Sequence, residues 1–227
     1  MMQQLLLELA PLPAPTLANF IPGRNGAALQ ALRSALAGGE PFVYLWGAGG
    51  SGRTHLLRGF IEAAQATRAA GFFSAAAADW SRAATLQAVA VDDVLRLDAS
   101  GQIALFDLCN RLRGSGGVLA ASGDAPPAQL ALRPDLRSRL AAGIVLQIHP
   151  LSDAEKAAAL RGHAASRGIA LGEDLIRYLL TQFERDMGTQ IALLDALDRY
   201  SLEHKRPITL PLLKEALRSL GQRQAGS

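Results

Sequence analysis

A three-layer α/β domain built on a five-stranded parallel sheet, followed by a smaller all-helical domain, is the fold class the sequence predicts. Three observations predict it. Short apolar runs alternate with helix-spaced apolar residues through the first 150 positions, a glycine-rich turn joins the first such run to a helix, and beyond Pro150 the pattern becomes amphipathic helix without a strand.

The first run and turn read F-V-Y-L-W-G-A-G-G-S-G-R-T-H-L-L, from Phe42 to Leu57. Phe42 to Trp46 suits a buried strand, and Leu56, Leu57, Phe60 and Ile61 recur at helical spacing after the glycines. Gly47, Gly52, Arg53 and Thr54 match the phosphate-binding pattern G-x-x-x-x-G-K-[ST] at each fixed position but one, where arginine replaces lysine. Glycines such as Gly50 and Gly52 let backbone N–H groups turn inward on an anion, and the following helix directs the positive end of its dipole to the same place. Thr54 is placed to reach a magnesium ion. Arg53 keeps the charge of lysine but not its compact geometry, so phosphate binding is expected and efficient self-catalysed hydrolysis is not. An ordinary glycine-rich strand-to-helix turn would carry the same short pattern.

The remaining elements follow in order. Ala28, Leu29, Leu32, Ala35 and Leu36 form a helical face closed by Gly38 and Gly39, and the loop helix runs to about Thr67. Gly71 to Phe73 suggests a second strand. Leu86 to Val94, L-Q-A-V-A-V-D-D-V, predicts a third that delivers Asp92 and Asp93 to its carboxyl end, where open α/β sheets bind ligands. There Asp92 would hold magnesium together with Thr54, and Asp93 would orient an attacking water; two acids after a strand also mark loops and caps. Ile103 to Arg113 reads as a helix and Val118 to Ser122 as a fourth strand, with Asp124 just past its end. The segment L-R-P-D-L-R-S-R-L supplies Arg133, Arg137 and Arg139, and Ile144 to Ile148 is the fifth strand. After Pro150, Ser152 and Glu155 have capping-box spacing, and three or four helices follow to about Leu220. The expected organisation is a tail over residues 1–15, a core over 16–150 and a helical domain over 151–227.

Composition bounds the function. Over 227 residues, 49% hydrophobic and 19% charged content indicates a globular chain rather than a disordered one, and a formal charge of +3 without a Lys/Arg run leaves no strong nucleic-acid footprint. A lone Cys109 excludes an internal disulfide framework and reads as a core residue. The N-terminus lacks a secretory pattern and no apolar run reaches membrane-spanning length, so a cytoplasmic, membrane-free protein is expected. In the tail, Gln4 precedes Leu5, Leu7 and Leu9, which share one face of an extended segment before Pro11, Pro13 and Pro15. These leucines either pack on the domain or dock in a partner's groove.

Taken together, phosphate loop, V-D-D, the polar strand end at Asp124, the arginine-bearing segment and the helical lid resemble AAA+ nucleotidases. The order and local motifs are similar to the bacterial initiator clade, most closely the Hda family of regulatory inactivators of the replication initiator DnaA. The resemblance implies an AAA+ core and lid, bound ADP or ATP with Mg, and nucleotide contacts from Phe20, Ile21, Gly47, Gly50, Gly52, Arg53, Thr54, His55 and Asp124. T-L-A-N-F-I-P-G-R-N resembles the segment that frames adenine in that clade. P-D-L-R-S-R-L resembles the segment bearing the arginine finger, which makes Arg139 the finger offered in trans and Arg137 the second choice; an intramolecular ion pair is the alternative for either. Q-L-L-L-E-L is similar to the peptide that docks on the DNA polymerase III sliding clamp (beta subunit), which implies clamp binding by Gln4, Leu5, Leu7 and Leu9. The expected partners are thus DnaA and the clamp, with DNA reached indirectly and a homo-oligomer allowed. By this resemblance no further basic DNA-binding domain is expected after the lid. It departs from the clade at Gly188, where a lid arginine is expected, and Arg185, one turn earlier, is the substitute. The competing expectation is an initiator-like or loader-like ATPase that hydrolyses its own ATP.

Overall fold

The structure, a computed structural model, describes residues 13–182 and 187–224, with side chains described to residue 218. It divides into two compact units between Pro150 and Leu151.

The first unit holds a parallel sheet. Its elements are α1 (Gly26–Leu36), β1 (Phe42–Trp46), α2 (Arg53–Gln65), β2 (Ala70–Ser74), the four-residue α3 (Trp80–Ala83), β3 (Ala88–Asp92), α4 (Ala99–Ser115), β4 (Val118–Gly123), α5 (Pro134–Ala141) and β5 (Ile144–Gln147). The strands lie in the order β2-β3-β4-β1-β5. β1 therefore sits between β4 and β5, pairing Leu45 with Ser122 on one side and with Leu146 on the other. Because the chain must cross over to reach each new neighbour, the loop after β1 opens beside the carboxyl ends of β3 and β4, where parallel sheets leave a crevice.

Strand periodicity sorts the core into two layers. Phe42, Tyr44, Val89, Val91, Leu119 and Ala121 face Leu105, Leu108 and Cys109 of α4 and Leu136 and Leu140 of α5. Val43, Leu45, Ala88, Ala90, Val118 and Ala120 face Leu32 of α1 and Leu56, Leu57 and Phe60 of α2. Each such leucine or phenylalanine contributes about 1.5–3 kcal/mol relative to leaving it in water. Cys109 is a fully buried member of the first layer, and burial pushes its thiol up to about 12.

The second unit is helical: α6 (Asp153–Ala165), α7 (Glu173–Gln182), α8 (Met187–His204) and α9 (Leu210–Gln224). α6 begins with the capping box foreseen from Ser152 and Glu155, each satisfying the other's backbone N–H. Leu160, Leu175, Leu179, Leu193, Leu197 and Leu213 make the core. At its edge His163 of α6 and Arg167, just past the end of that helix, meet Asp195 at 2.5 and 3.2 Å, and Arg167 also reaches Asp198 at 3.6 Å, which ties this segment to α8. Among the described residues, no helix is long and apolar enough to cross a membrane.

The predicted three-layer sheet followed by a helical domain is the architecture found, with α4 extending four residues earlier and two later than the 103–113 helix expected. The tail residues Gln4, Leu5, Leu7 and Leu9, and Arg185 in the lid, lie outside the described residues.

Candidate functional site

The site is built by the loop from Gly47 to Gly52. β1 delivers the chain into a place with no room for a side chain: a Cβ on Gly47 would lie 2.2 Å from the Ile148 carbonyl oxygen. Gly50 and Gly52 adopt φ of 76° and 99°, a region that penalises any residue with a Cβ. Gly52 forms the N-cap of α2 and offers no side chain to its first turn. The first helical N–H groups thus face the loop with the helix dipole behind them. Ser51 is 6% exposed, and its buried Oγ has no hydrogen-bond partner. A buried hydroxyl left in this way costs free energy unless a ligand supplies the missing bond. The loop therefore fits an oxyanion such as a nucleotide phosphate.

The cation and the acids converge on the end of β4. Arg53 donates through Nη1 to the Gly123 carbonyl. Thr54 Oγ1 donates to Asp92 Oδ2 at 2.7 Å, joining the loop helix to β3. The other carboxylate oxygen of Asp92 accepts from Ser122 Oγ, and that hydroxyl oxygen in turn accepts the Asp93 N–H at 3.1 Å. Thr54 and Asp92 are thus brought together as a pair of oxygen ligands would be for magnesium, with Ser122 fixing the carboxylate's orientation.

Ser122 is the residue that reading the sequence for function missed. It is fully buried in β4, whereas Asp124, the residue expected near the crevice, is exposed beyond the strand. The available signal was the polar break in an otherwise apolar strand, A-A-S-G-D. Nearby, the buried Tyr44 donates to the Ala125 carbonyl at 3.0 Å and anchors the turn that follows β4; burial raises its phenol far above the ordinary tyrosine value.

Asp93 has a different placement from Asp92. Its backbone is left-handed, with φ of 60°, and its carboxylate pairs with Arg96 at 2.8 Å on an accessible surface.

Thr16 to Ile21 lies over the same loop. Phe20 packs so close to Gly52 that a Cβ there would be 2.9 Å from the ring edge, and His55 Nε2 reaches back to the strap at Thr16 and Asn19. Ile21 is half-buried beside it. Asn25, nearly buried, locks this segment to the end of β5 by a reciprocal pair of 2.8 Å bonds with the backbone of His149.

Arg139 stands apart from these contacts. It lies on α5, half-buried, with its guanidinium 5.6 Å from the centroid of the Phe106 ring on α4. Arg137 donates to the Ala128 carbonyl at 3.4 Å, and Arg133 forms a two-bond pair with Asp135 that holds this carboxyl below the usual range. Gly188 is the second residue of α8.

Comparison with known proteins extends the reading. Residues 153–217 match the family model described as Hda, lid domain. A replication initiator DnaA bound to AMPPCP and single-stranded DNA is 24% identical, with 84% of this chain and 69% of that chain covered, at a TM-score of 0.66. AMPPCP-bound DnaA from Aquifex aeolicus is 25% identical over 73% of this chain and 59% of that one, at a TM-score of 0.62. Domain III of the Thermotoga maritima replication initiation protein DnaA is 20% identical over 92% of this chain and 98% of that chain, at a TM-score of 0.66. Strand order, phosphate loop and these likenesses define the first unit as an AAA+ α/β fold of the kind found in DnaA. The second unit matches the Hda lid domain over residues 153–217.

Proposed function

We propose that this chain is a regulatory inactivator of replication initiation: bound to adenine nucleotide and docked on the DNA-loaded sliding clamp, it makes DnaA hydrolyse its ATP. The observation that carries this reading is an Hda lid joined in one chain to an AAA+ core of the DnaA type.

In this reading the chain's own nucleotide is ADP, held by the N–H groups and Ser51 hydroxyl of the loop, with Arg53 toward the phosphates, Phe20 and Ile21 toward the base, and magnesium between Thr54 and Asp92. Bound ADP supplies binding energy that fixes the loop and strap, not a reaction. Arg53 already bonded to Gly123 and Asp93 paired with Arg96 suit a subunit that hydrolyses its own nucleotide weakly.

The chemistry belongs to the partner's ATP. Water attacks the terminal phosphorus, its oxygen forming the new bond as the bridging bond to ADP breaks and the water gives up a proton. Arg139 contributes a guanidinium to the charge spreading over the transferred phosphoryl oxygens, an effect worth about 10³–10⁵ in rate for known fingers. Phe106 holds that guanidinium by its ring face, and among the described residues no carboxylate pairs with it. The tail, through Gln4, Leu5, Leu7 and Leu9, provides clamp docking, and a cytoplasmic location follows from these partners.

The test is reconstitution. Purified chain, clamp loaded on DNA, and ATP-bound DnaA should give faster ATP hydrolysis than DnaA with clamp alone. No acceleration, with steady hydrolysis by the chain by itself, would favour the second reading, a loader-like ATPase acting on its own ATP. The Thr54–Asp92 contact at 2.7 Å is the observation on that side.

A further inference from the structure

His55 sits one residue past the magnesium-side Thr54, in the first turn of α2, yet its side chain turns to the strap rather than to the phosphate loop. The strap lies directly on the helix backbone. A Cβ on Gly59 would be 2.6 Å from the carbonyl carbon of Thr16 and 2.7 Å from the Leu17 nitrogen. Leu17 is buried beneath it, and its carbonyl accepts from Arg33 of α1 at 3.2 Å. Two reciprocal bonds close the strap into a turn: the Thr16 N–H donates to Asn19 Oδ1 at 2.9 Å, and the Asn19 N–H donates to Thr16 Oγ1 at 3.0 Å.

These bonds settle the role of the imidazole. Asn19 Oδ1 accepts from a backbone N–H, which fixes which end of the amide is oxygen. His55 Nε2 lies 2.9 Å from that oxygen and 3.1 Å from the Thr16 carbonyl. Both are acceptors, so Nε2 carries the hydrogen and donates. The same ring tilts against Phe20, with centroids 5.5 Å apart and planes at 53°, while the far edge of Phe20 meets Gly52. One side chain therefore joins the phosphate-loop helix to the strap and sets where Phe20 lies.

We propose that His55 is a positioning residue for the nucleobase: its Nε2–H seats the Thr16–Phe20 strap on α2 and thereby gives the site its selectivity for an adenine nucleotide over a bare polyphosphate. This rests on the reading of Gly47–Thr54 as a nucleotide phosphate loop framed by Phe20 and Ile21. Adjacent residues of a single helical turn divide the ligand between them, Arg53 and Thr54 toward phosphate and metal, His55 toward the base.

The experiment measures binding of ADP, GDP and inorganic pyrophosphate, each with magnesium, to the full chain and to His55→Ala and His55→Gln, with melting temperatures as the folding control. His55→Ala should weaken ADP about tenfold, as loss of roughly one net hydrogen bond does. It should also shrink the ADP-to-GDP ratio and leave pyrophosphate affinity unchanged. His55→Gln, which keeps a donor of similar reach, should restore part of the ADP affinity. An unchanged ADP affinity in His55→Ala, or an equal loss of ADP and pyrophosphate, overturns the proposal. A wild-type chain that binds pyrophosphate as well as ADP, or binds neither, instead overturns the underlying nucleotide-site reading, so the two failures are distinguishable.

Discussion

Ser122 of β4 holds Asp92 of β3: its hydroxyl donates to one carboxylate oxygen while Thr54 donates to the other, and the serine oxygen also receives the Asp93 N–H. A single buried hydroxyl thereby orients the acid nearest the loop and pins the backbone of the next.

Replacing Ser122 with Ala removes both bonds without changing the strand. The buried groups left behind should cost about 1–3 kcal/mol in unfolding free energy, read from urea denaturation. Nucleotide affinity in the presence of magnesium should fall more than affinity in EDTA, because the change acts on the carboxylate proposed to hold magnesium. Equal affinities in the variant and the parent under both conditions would contradict this role.

Gly52 and Gly49 offer a matched pair. Gly52 has φ of 99° and the Phe20 ring edge 2.9 Å from where a Cβ would stand, whereas a Cβ on Gly49 meets nothing within 4 Å. Gly52→Ala should destabilise the fold by about 1–3 kcal/mol and weaken ADP binding, since both the backbone and the strap must shift. Gly49→Ala should leave stability nearly unchanged. Similar unfolding midpoints for the two variants would contradict the strap's placement on the loop.

Asp98 caps α4, accepting the Gly101 N–H at 2.7 Å and the Ser100 hydroxyl at 2.8 Å, and the first of these chiefly holds its carboxyl below the usual range. A lowered folded-state value means the stabilisation is complete above the unfolded carboxyl's pKa, near 4, and disappears as pH falls through the lower folded value. Asp98→Asn should flatten the acid limb of the stability profile below about pH 4. An unchanged slope there would show that other carboxylates govern it.

Much of the fold was legible because it rests on local pattern. The apolar runs at Phe42–Trp46, Ala88–Asp92 and Val118–Gly123 have few alternatives to buried strands, and Ser152 with Glu155 announces α6 from four residues alone. The glycine turn between β1 and α2 was legible for the same reason, since the positive φ of Gly50 and Gly52 calls for residues without a Cβ. What escaped depends on the sheet being closed. Arg53 bonds a carbonyl 70 residues away, and Ser122 bonds an acid 30 residues away. No spacing rule encodes such pairings. Asp124, expected just past the end of the fourth strand, lies there and is exposed. The four-residue α3 was too short to show a helical period.

The central claim concerns Arg139 of α5, which lies over the Phe106 ring of α4. The most direct measurement is ATP hydrolysis by DnaA in the presence of DNA-loaded clamp and either the parent chain, Arg139→Ala or Arg137→Ala, with ADP affinity and clamp binding measured for each. Arg139→Ala should retain both binding activities and lose stimulation by about 10³-fold or to background, while Arg137→Ala keeps most of it. Stimulation that survives Arg139→Ala at the parent's level would contradict the account.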